Sequence, residues 1–273
     1  MSSAMSVSEL AKVAGTAKGP LLIDVRRDPA FNADSTLIAG AIRRAPESVE
    51  QWSGDLPVGR PVVVYCVHGH EVSQGVASAL RSGGAEASYL TGGLAAWTER
   101  KLPLRRKRET AGQGPSQWVT RERPKIDRIA CPWLIRRFID PEANFIYVPA
   151  DRVTAFATES GATPYDVAGV EFTHEGERCS FDTFIRIYGI ADPALDHLAT
   201  IVRGADTSRH DLSPQCGGLF AISLGLSANF PDDHAMLEQG MVIYDALYTW
   251  CRSLQAETHN WPTASTAKEA RRG

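Results

Sequence analysis

The chain has 273 residues, a length that accommodates one large domain or two ordinary ones, each with its own hydrophobic core. Hydrophobic residues make up 43% of the chain and charged residues 22%, a composition that excludes a protein disordered along its whole length. The formal net charge of −3 excludes a globally basic surface for nucleic acid.

Strands alternate with helices in the N-terminal region. Ser6 and Glu9 form a capping-box pattern that predicts a short helix ending near Gly15. Apolar runs predict buried strands at residues 21–25, 61–67 and 87–90. Helical spacing predicts helices at residues 73–82 and 93–100. This alternation predicts a parallel α/β sheet.

A basic run at residues 100–108 ends the alternating region and leads into a Gly- and Pro-rich stretch. We predict a linker at residues 105–117, in which the basic side chains form either a solvated tether or a patch for nucleic acid or another polyanion. The run has no aromatic residues for base stacking, so a nucleic-acid partner is not expected. The predicted domains are residues 1–104 and 118–256, followed by a flexible tail at residues 257–273.

The apolar spacing beyond residue 118 is mostly helical. Helices are predicted at residues 126–139, 193–203, 214–226 and 231–251, and strands at residues 144–148 and 166–174. This pattern predicts a mainly helical α+β domain. The apolar sides of the last two helices suit either a core or a homodimer interface.

The sequence has five cysteines and no Cys-x-x-Cys pair, which argues against a disulfide framework and against a zinc knuckle. Residues 1–19 lack the charged and apolar regions of an export signal. The apolar runs are far shorter than the roughly 20 residues of a membrane span. We therefore expect a cytoplasmic protein with reduced thiols and no membrane partner.

Cys66 ends a predicted buried strand and is followed by a short loop and then by a helix. In this arrangement the N–H groups of the loop converge, and the positive end of the helix points at the thiol. Both effects lower the pKa of a thiol and favour the nucleophilic thiolate. His68 and His70 add positive charge near or below neutral pH. The alternative is an inert cysteine buried at a strand end.

Four motifs of this region resemble the rhodanese family in their order and spacing. They are LIDVR at residues 22–26, AGAI at residues 39–42, the Cys66 loop, and LTGGLAAW at residues 90–97. The resemblance spans about residues 5–104. It implies an α/β rhodanese-like parallel-sheet domain in which a cysteine carries sulfur as a persulfide, between a small sulfur donor and a thiol acceptor.

The resemblance makes Cys66 the catalytic nucleophile. It assigns the amide cradle of the active-site loop to Val67, His68, Gly69, His70, Glu71 and Val72. Asp24 and Arg26 lie at the neighbouring strand end and support the loop. Many rhodaneses have a basic residue near the place of Glu71, and a carboxylate there repels an anionic donor. We therefore expect thiosulfate not to be the preferred donor, unless Glu71 turns outward and leaves the amides and histidines to bind the anion.

The second domain begins with a segment that is dense in cations. Arg137 falls on the apolar face of the predicted helix, where a guanidinium needs a carboxylate or a bound anion. We predict an oxyanion clamp formed by Lys125, Arg128, Arg136 and Arg137. The alternative is internal pairing with carboxylates. Cys131 in the same helix is either a thiol reductant beside the anion or a packed core residue.

His174, Asp182 and Asp206 offer imidazole and carboxylate ligands from different elements. We predict that they meet around a divalent metal ion, the one cofactor that the sequence suggests. Their spacing is not diagnostic, and a histidine bound to protein groups is the alternative.

Residues 117 to about 254 resemble the C-terminal domain of the chromate-resistance protein ChrB. The matching stretches are residues 119–140, 172–174, 178–181, 201–206 and 244–248. This family is associated with chromate sensing and resistance, so the resemblance implies a role in oxyanion or metal stress, with chromate or a sulfate-like oxyanion as ligand. In ChrB a regulatory segment precedes this domain, and here the rhodanese-like domain takes that place.

Two functions follow from these observations. We expect a sulfurtransferase coupled to a chromate- or oxyanion-resistance domain. The alternative is a chromate or oxyanion sensor that regulates transcription and whose rhodanese-like domain is not catalytic.

Overall fold

The computed structural model describes residues 3–108 and 114–257 of the chain. The predicted tail beyond residue 257 and residues 109–113 of the predicted linker lie outside the described residues. Within the described ranges, no helix is long and apolar enough to cross a membrane.

The N-terminal half is built on a parallel sheet. Its strands are β1 (Ala4–Met5), β2 (Leu21–Asp24), β3 (Thr36–Ile38), β4 (Ala41–Arg43), β5 (Val62–Tyr65), β6 (Ala87–Leu90) and β7 (Leu104–Arg106). Its helices are α1 (Val7–Val13), α2 (Asp28–Asn32), α3 (Val49–Trp52), α4 (Glu71–Ser82) and α5 (Gly93–Glu99). The sheet has the strand order β1-β6-β5-β2-β4, and all neighbours are parallel. The predicted parallel α/β fold is confirmed.

The central strand β5 is buried on both faces, which explains its unbroken apolar sequence. Val62 and Val64 belong to the core cluster on the α4 side, whereas Val63 and Tyr65 belong to the cluster on the α5 side. Helices therefore cover both faces of the sheet. Cys66 directly follows the carboxyl end of β5.

The predicted start of the first helix is confirmed. The Ser6 hydroxyl accepts a hydrogen bond from the Glu9 N–H at 3.2 Å, and the Glu9 carboxylate accepts one from the Ser6 N–H at 2.8 Å. This reciprocal pair satisfies two donors that a helix start leaves without partners.

The beginning of the predicted linker belongs to the fold and is not a solvated tether. β7 pairs antiparallel with β3, and Arg105 within it is only 6% exposed. The Lys107 ammonium lies 3.7 Å from the ring centroid of Phe31, and Arg108 forms a two-bond ion pair with Glu171. The basic side chains are held in place because they find an aromatic ring, carbonyl oxygens and a carboxylate. The limits of the predicted domains stay predictions.

The C-terminal half is mainly helical, as predicted, around a small parallel sheet. Its strands are β8 (Gln117–Arg121), β9 (Asn144–Val148) and β10 (Thr163–Pro164), in the order β10-β8-β9. Its helices are α6 (Asp127–Leu134), α7 (Val153–Ser160), α8 (Ser180–Tyr188), α9 (Pro193–Asp206), α10 (Gln215–Asn229) and α11 (Asp233–Ser253). A π-helical turn, Ile135–Ile139, continues α6.

The predicted strand at residues 166–174 is wrong. The segment is paired only through an isolated bridge between Tyr165 and Phe172, and the φ angle of Asp166 is 52°. A residue in the left-handed region interrupts an extended strand. The apolar Phe172 belongs to the core and not to a strand. It stacks on Phe184 with 4.4 Å between ring centroids.

The last two helices bury one side against the core and leave Ile222 and Val242 exposed. A homodimer contact through this side stays a prediction.

The AGAI motif joins the two halves of the molecule. Gly40 donates its N–H to the carbonyl oxygen of Phe138 at 2.6 Å. The φ angle of Gly40 is 82°, and a Cβ atom there would lie 2.6 Å from the carbonyl oxygen of Arg137. A side chain at Gly40 would therefore separate the halves. The ring of Phe138 lies under Gly15, where an added Cβ would come within 2.5 Å of it.

A second contact joins the two helices at opposite ends of the described chain. The Arg252 guanidinium at the end of α11 donates to the carbonyl oxygens of Ala11 and Ala14 at 2.6 and 3.3 Å. These carbonyls belong to the last turn of α1, which has no helical partners for them. Arg252 at the end of α11 therefore supplies hydrogen-bond donors to the carbonyl oxygens at the end of α1.

Candidate active site

Cys66 lies at the carboxyl end of β5, where the chain leaves the sheet. A short loop follows, and α4 begins at Glu71. The turn requires a glycine at Gly69, because its φ angle is 73° and a Cβ there would lie 2.4 Å from the carbonyl oxygen of Leu90. Cys66 is 7% exposed.

The first turn of α5 holds the loop from the other side. The N–H groups of Leu94 and Ala95 donate to the carbonyl oxygens of Cys66 and Val67 at 3.0 and 2.9 Å. Gly93 permits this approach, since a Cβ there would lie 2.4 Å from the Cys66 oxygen. Because these carbonyls point to α5, the following N–H groups can turn toward the sulfur.

Hydrogen-bond donors surround the sulfur of Cys66. Burial by itself would raise the pKa of the thiol. The Ser73 hydroxyl and the N–H groups of Ser73, His70 and His68 outweigh burial and lower the pKa. The hydroxyl oxygen of Ser73 lies 3.2 Å from the sulfur. Sequence reasoning missed Ser73, although a hydroxyl directly after the loop was a usable signal.

Replacing Ser73 with alanine is expected to raise the pKa of Cys66, because a group that stabilises the thiolate is lost. The thiolate fraction increases as the pH rises through the pKa, so the pH profile of Cys66 alkylation should move to higher pH. At neutral pH we expect alkylation to slow by a factor of about 3–10, roughly half to one pH unit. Iodoacetamide labelling of the Cys66 peptide measures this.

Ser82→Ala, at the exposed end of the same helix, is the matched control and should leave the profile unchanged. An unshifted profile in Ser73→Ala would show that the backbone N–H groups alone set the pKa of Cys66.

The polar side chains of the loop face solvent. The rings of His68 and His70 are exposed, with 5.9 Å between their centroids. Glu71 is also exposed, at the first position of α4, where a carboxylate stabilises the positive end of a helix. The N–H groups of the loop, and not its side chains, are therefore the groups gathered around the sulfur.

Asp24 and Arg26 are buried at the end of β2, next to β5. The Arg26 guanidinium binds the Asp24 carboxylate, the Asp34 carboxylate at 3.0 Å and the Thr36 carbonyl at 2.8 Å. Within the described chain, no side-chain bond of either residue reaches the Cys66 loop. Their support is indirect, because they fix β2 and β3 beside the strand that carries Cys66.

The predicted oxyanion clamp is not formed, because its arginines bind carboxylates of the protein. The pairs are Arg128–Asp166, Arg136–Glu238 and Arg137–Asp245, with N–O distances of 3.2, 2.8 and 2.8 Å. Lys125 has no ion pair among the described residues. The structure shows the internal pairing that was the alternative. The acids on α11 lie 102 and 108 residues after their arginines, so sequence spacing could not reveal them.

Cys131 is a packed core residue. It is fully buried, and burial raises the pKa of its thiol. The raised pKa removes the thiolate that a reductant beside an anion would need.

Two of the three predicted metal ligands come together. The Nε2 atom of His174 lies 3.2 Å from a carboxylate oxygen of Asp206. The prediction of Asp182 as the third ligand is wrong, because its carboxylate binds other groups of the protein. It accepts the N–H of Cys179 at 3.1 Å and so caps α8, and it binds Arg203 at 2.7 Å.

Asp127 and Asp166 complete the group around His174. Their carboxylate oxygens lie 3.2 and 3.4 Å from the same Nε2 atom. Hydrogen bonds to the carboxylates raise the pKa of His174 to about 12, and burial raises the pKa of Asp127 to about 7. An acid at the first position of a largely apolar helix was the signal for Asp127.

A cavity of about 600 Å³ lies between the two halves. Its basic lining residues are Arg43, Arg44, Arg105, Lys107 and Arg108. Arg43, Arg44 and Arg108 pair with carboxylates, whereas Arg105 and Lys107 bind carbonyl oxygens. Burial lowers the pKa of both Arg105 and Lys107. The buried Nε of Arg105 has no partner in the described structure, and the sequence suggested this residue only as part of a basic patch for a polyanion.

Comparison with known proteins gives two family matches, one on each half of the fold. Residues 6–100 match the model of the rhodanese-like domain, and residues 118–251 match that of the ChrB C-terminal domain. Over 145 residues the chain is 34% identical to Protein ChrB of Cupriavidus metallidurans. That alignment covers 53% of this chain and 43% of the relative, so the chain spans less than half of that protein.

A second relative matches the N-terminal half. The chain is 36% identical over 77 residues to thiosulfate sulfurtransferase GlpE of Tolumonas auensis. That alignment covers 28% of this chain and 70% of the relative. Among solved structures, a rhodanese-related protein of Thermoplasma volcanium is 21% identical, with a TM-score of 0.34. That superposition covers 38% of this chain and 97% of the other.

Proposed function

Because the chain belongs to the rhodanese-like family through residues 6–100 and has a ChrB C-terminal domain at residues 118–251, we propose that it is a sulfurtransferase that carries sulfur as a persulfide on Cys66. The observation that carries the proposal is the surroundings of the Cys66 sulfur. Three N–H groups and a hydroxyl lower the pKa of its thiol, and a thiolate is the species that attacks sulfur.

The first half-reaction loads Cys66. The thiolate attacks the outer sulfur of a donor, a new S–S bond forms, and the bond from that sulfur to the rest of the donor breaks. The leaving group departs with the electron pair, which for thiosulfate gives sulfite. The N–H groups of His68, His70 and Ser73 are placed to stabilise negative charge at this position.

The second half-reaction passes the sulfur on. An acceptor thiolate attacks the outer sulfur of the persulfide, and Cys66 leaves as a thiolate stabilised by the same donors. Two half-reactions through a covalent intermediate give ping-pong kinetics. The ChrB C-terminal domain supports a role for this chemistry in resistance to chromate or a related oxyanion.

The test is to trap the intermediate. The full chain is incubated with thiosulfate, and separately with an organic persulfide, and its intact mass and peptide map are measured. We expect one added sulfur atom on the Cys66 peptide, released again by an acceptor thiol. The other cysteines, all buried, are internal controls. No added sulfur with either donor, or equal addition to the other cysteines, contradicts the proposal.

Charge reversal at Glu71 is expected to favour thiosulfate as donor. Glu71→Lys replaces a repulsive charge at the start of α4 with an attractive one, so KM for thiosulfate should fall by a factor of about 3–10, with a smaller effect at high ionic strength. Steady-state kinetics at two salt concentrations measures this. Glu99→Lys, at the end of α5, has the same charge change and should alter KM little. A KM that does not move in Glu71→Lys would mean that Glu71 does not oppose the donor.

The cavity between the halves favours a second candidate function, the binding of an oxyanion as a sensor. Arg105 is buried without a carboxylate, and Lys107 beside it also lacks one in the described structure. A guanidinium kept away from water is stabilised by a bound anion. These two residues support a candidate oxyanion site at the contact between the halves, away from Arg128, Arg136 and Arg137.

Thermal unfolding in the presence of sulfate, molybdate or chromate tests this function. A ligand that binds only the native chain raises its Tm. We expect a rise for the wild type and a smaller one for Lys107→Ala. Lys18→Ala, an exposed lysine outside the cavity lining, is the control and should behave as the wild type. A rise that is equal in all three proteins would place the anion elsewhere.

A further inference from the structure

A single imidazole nitrogen in the C-terminal half faces three carboxylates. The Nε2 atom of His174 lies 3.2 Å from Asp127, 3.4 Å from Asp166 and 3.2 Å from Asp206. Nε2 carries at most one hydrogen and can donate to only one of them. One N–H therefore satisfies one of the three carboxylates, and His174 offers the other two only the charge of the imidazolium.

The distances themselves fit a different arrangement. An ionic N–H···O bond is about 2.7–2.9 Å long. A metal ion with ligand bonds of about 2.0–2.2 Å separates neighbouring ligand atoms by roughly 3.0–3.5 Å, in octahedral or tetrahedral geometry. The three distances from His174 are too long for strong ionic hydrogen bonds and match the edges of a coordination polyhedron. Ligand atoms of Asp127, His174 and Asp206 all lie within 4.8 Å of one another.

The charge of the group is negative and largely buried. Asp127 is 2% exposed and Asp166 is 5% exposed. Arg121 and Arg128 neutralise Asp166, to which they lie at 2.7 and 3.2 Å. Asp127 and Asp206 have no arginine or lysine ion pair among the described residues. Buried carboxylates need a cation, and a single imidazolium is too little for two of them.

Surrounding groups orient the carboxylates before any ligand binds. The Ser180 hydroxyl donates to Asp166 at 2.9 Å, and the Tyr244 hydroxyl donates to the carbonyl of Ile126 at 2.7 Å. Ile126 precedes Asp127 and has a φ angle of 42°, a strained conformation for a β-branched residue. The backbone strain at Ile126 therefore costs conformational energy, and it fixes the position of Asp127.

We propose that Asp127, His174 and Asp206 form a binding site for one divalent first-row transition-metal ion, next to the arginine-paired Asp166. The set of one imidazole and two carboxylates suits Mn²⁺, Fe²⁺ or Zn²⁺ better than a soft ion, which prefers thiolates. His174 is partly exposed, which gives the ion a path to the site from solvent. The site is independent of the sulfur chemistry at Cys66.

Metal binding to the full chain tests the proposal directly. The chelator-treated protein is dialysed against Mn²⁺ or Zn²⁺ in the presence of excess Mg²⁺, and metal per chain is measured. We expect one ion per chain and a rise in Tm on binding. His174→Ala and Asp206→Asn should each weaken binding at least tenfold, whereas Glu177→Gln, an exposed acid of the same loop, should bind as the wild type. Sulfur transfer at Cys66 and circular dichroism show that each variant is folded.

Substitution with Co²⁺ gives a readout that needs no variant. Ligation by His174 and carboxylates gives visible bands without a thiolate-to-metal charge-transfer band. A thiolate band would place the ion at a cysteine, either Cys66 with its lowered pKa or the buried Cys131 or Cys179, and overturn the proposal. Failure of Mn²⁺ and Zn²⁺ to bind, or unchanged affinity in both His174→Ala and Asp206→Asn, would overturn it as well.

Discussion

The Cys66→Ser variant is expected to lose sulfur transfer by a factor on the order of 10³ or more, since no covalent intermediate forms without the thiolate. The hydroxyl of serine is a poor nucleophile at neutral pH, and the donors around it stabilise no anion. Steady-state turnover with the better of the two donors measures the loss. The substitution changes one atom in a nearly buried position, so the fold should persist.

The matched control is Cys251→Ser in α11. Cys251 is also nearly buried, but it lies in the C-terminal half. We expect this variant to transfer sulfur at the wild-type rate. Normal turnover in Cys66→Ser would remove Cys66 from the reaction and leave the rhodanese-like half without a chemical role.

Phe138→Ala is expected to lower the free energy of unfolding by about 3–5 kcal/mol, the usual cost of deleting a buried phenylalanine ring. The ring is 2% exposed and lies 5.7 Å from Trp133 and 5.3 Å from Tyr248, measured between centroids. It also fills the space beneath Gly15 of the other half. The loss should therefore loosen the contact between the halves and separate their unfolding transitions in calorimetry.

Phe156→Ala, in the partly buried surface of a smaller core cluster, is the control for this prediction. We expect it to cost less and to leave the contact between the halves unchanged. Phe138→Leu should recover much of the lost stability because it refills most of the cavity. A loss below about 1 kcal/mol in Phe138→Ala would contradict the packing described for this ring.

The Cys66 loop could be predicted because the signals are local. A β-branched run, a cysteine, a glycine and an amphipathic helix follow one another directly, and the loop geometry depends on these few residues. What sequence reasoning missed is the outer support from Leu94 and Ala95, and the hydroxyl of Ser73. Leu94 and Ala95 belong to α5, whose approach is decided by how the sheet and its helices pack, whereas Ser73 directly follows the loop in sequence.

The second half shows where sequence reasoning fails. Arg137 was placed on the core-facing side of its helix, and its partner Asp245 lies on a helix that only tertiary packing brings near. Asp182 has the right chemistry for a metal ligand, yet it is used as the cap of α8. Asp127 lies beside His174 instead, at the start of α6, where the positive φ angle of Ile126 is a feature that no periodicity predicts.

The bond from Arg252 to the end of α1 has a consequence for biosynthesis. A ribosome releases α1 first and Arg252 more than two hundred residues later, at sequence separations of 238 and 241 from its partners. The N-terminal half can complete its sheet during translation, but the carbonyls of Ala11 and Ala14 stay hydrated until α11 has emerged. The contact of Arg252 with α1 is therefore a late step of docking, and a chain interrupted before residue 252 would leave these carbonyls without the guanidinium.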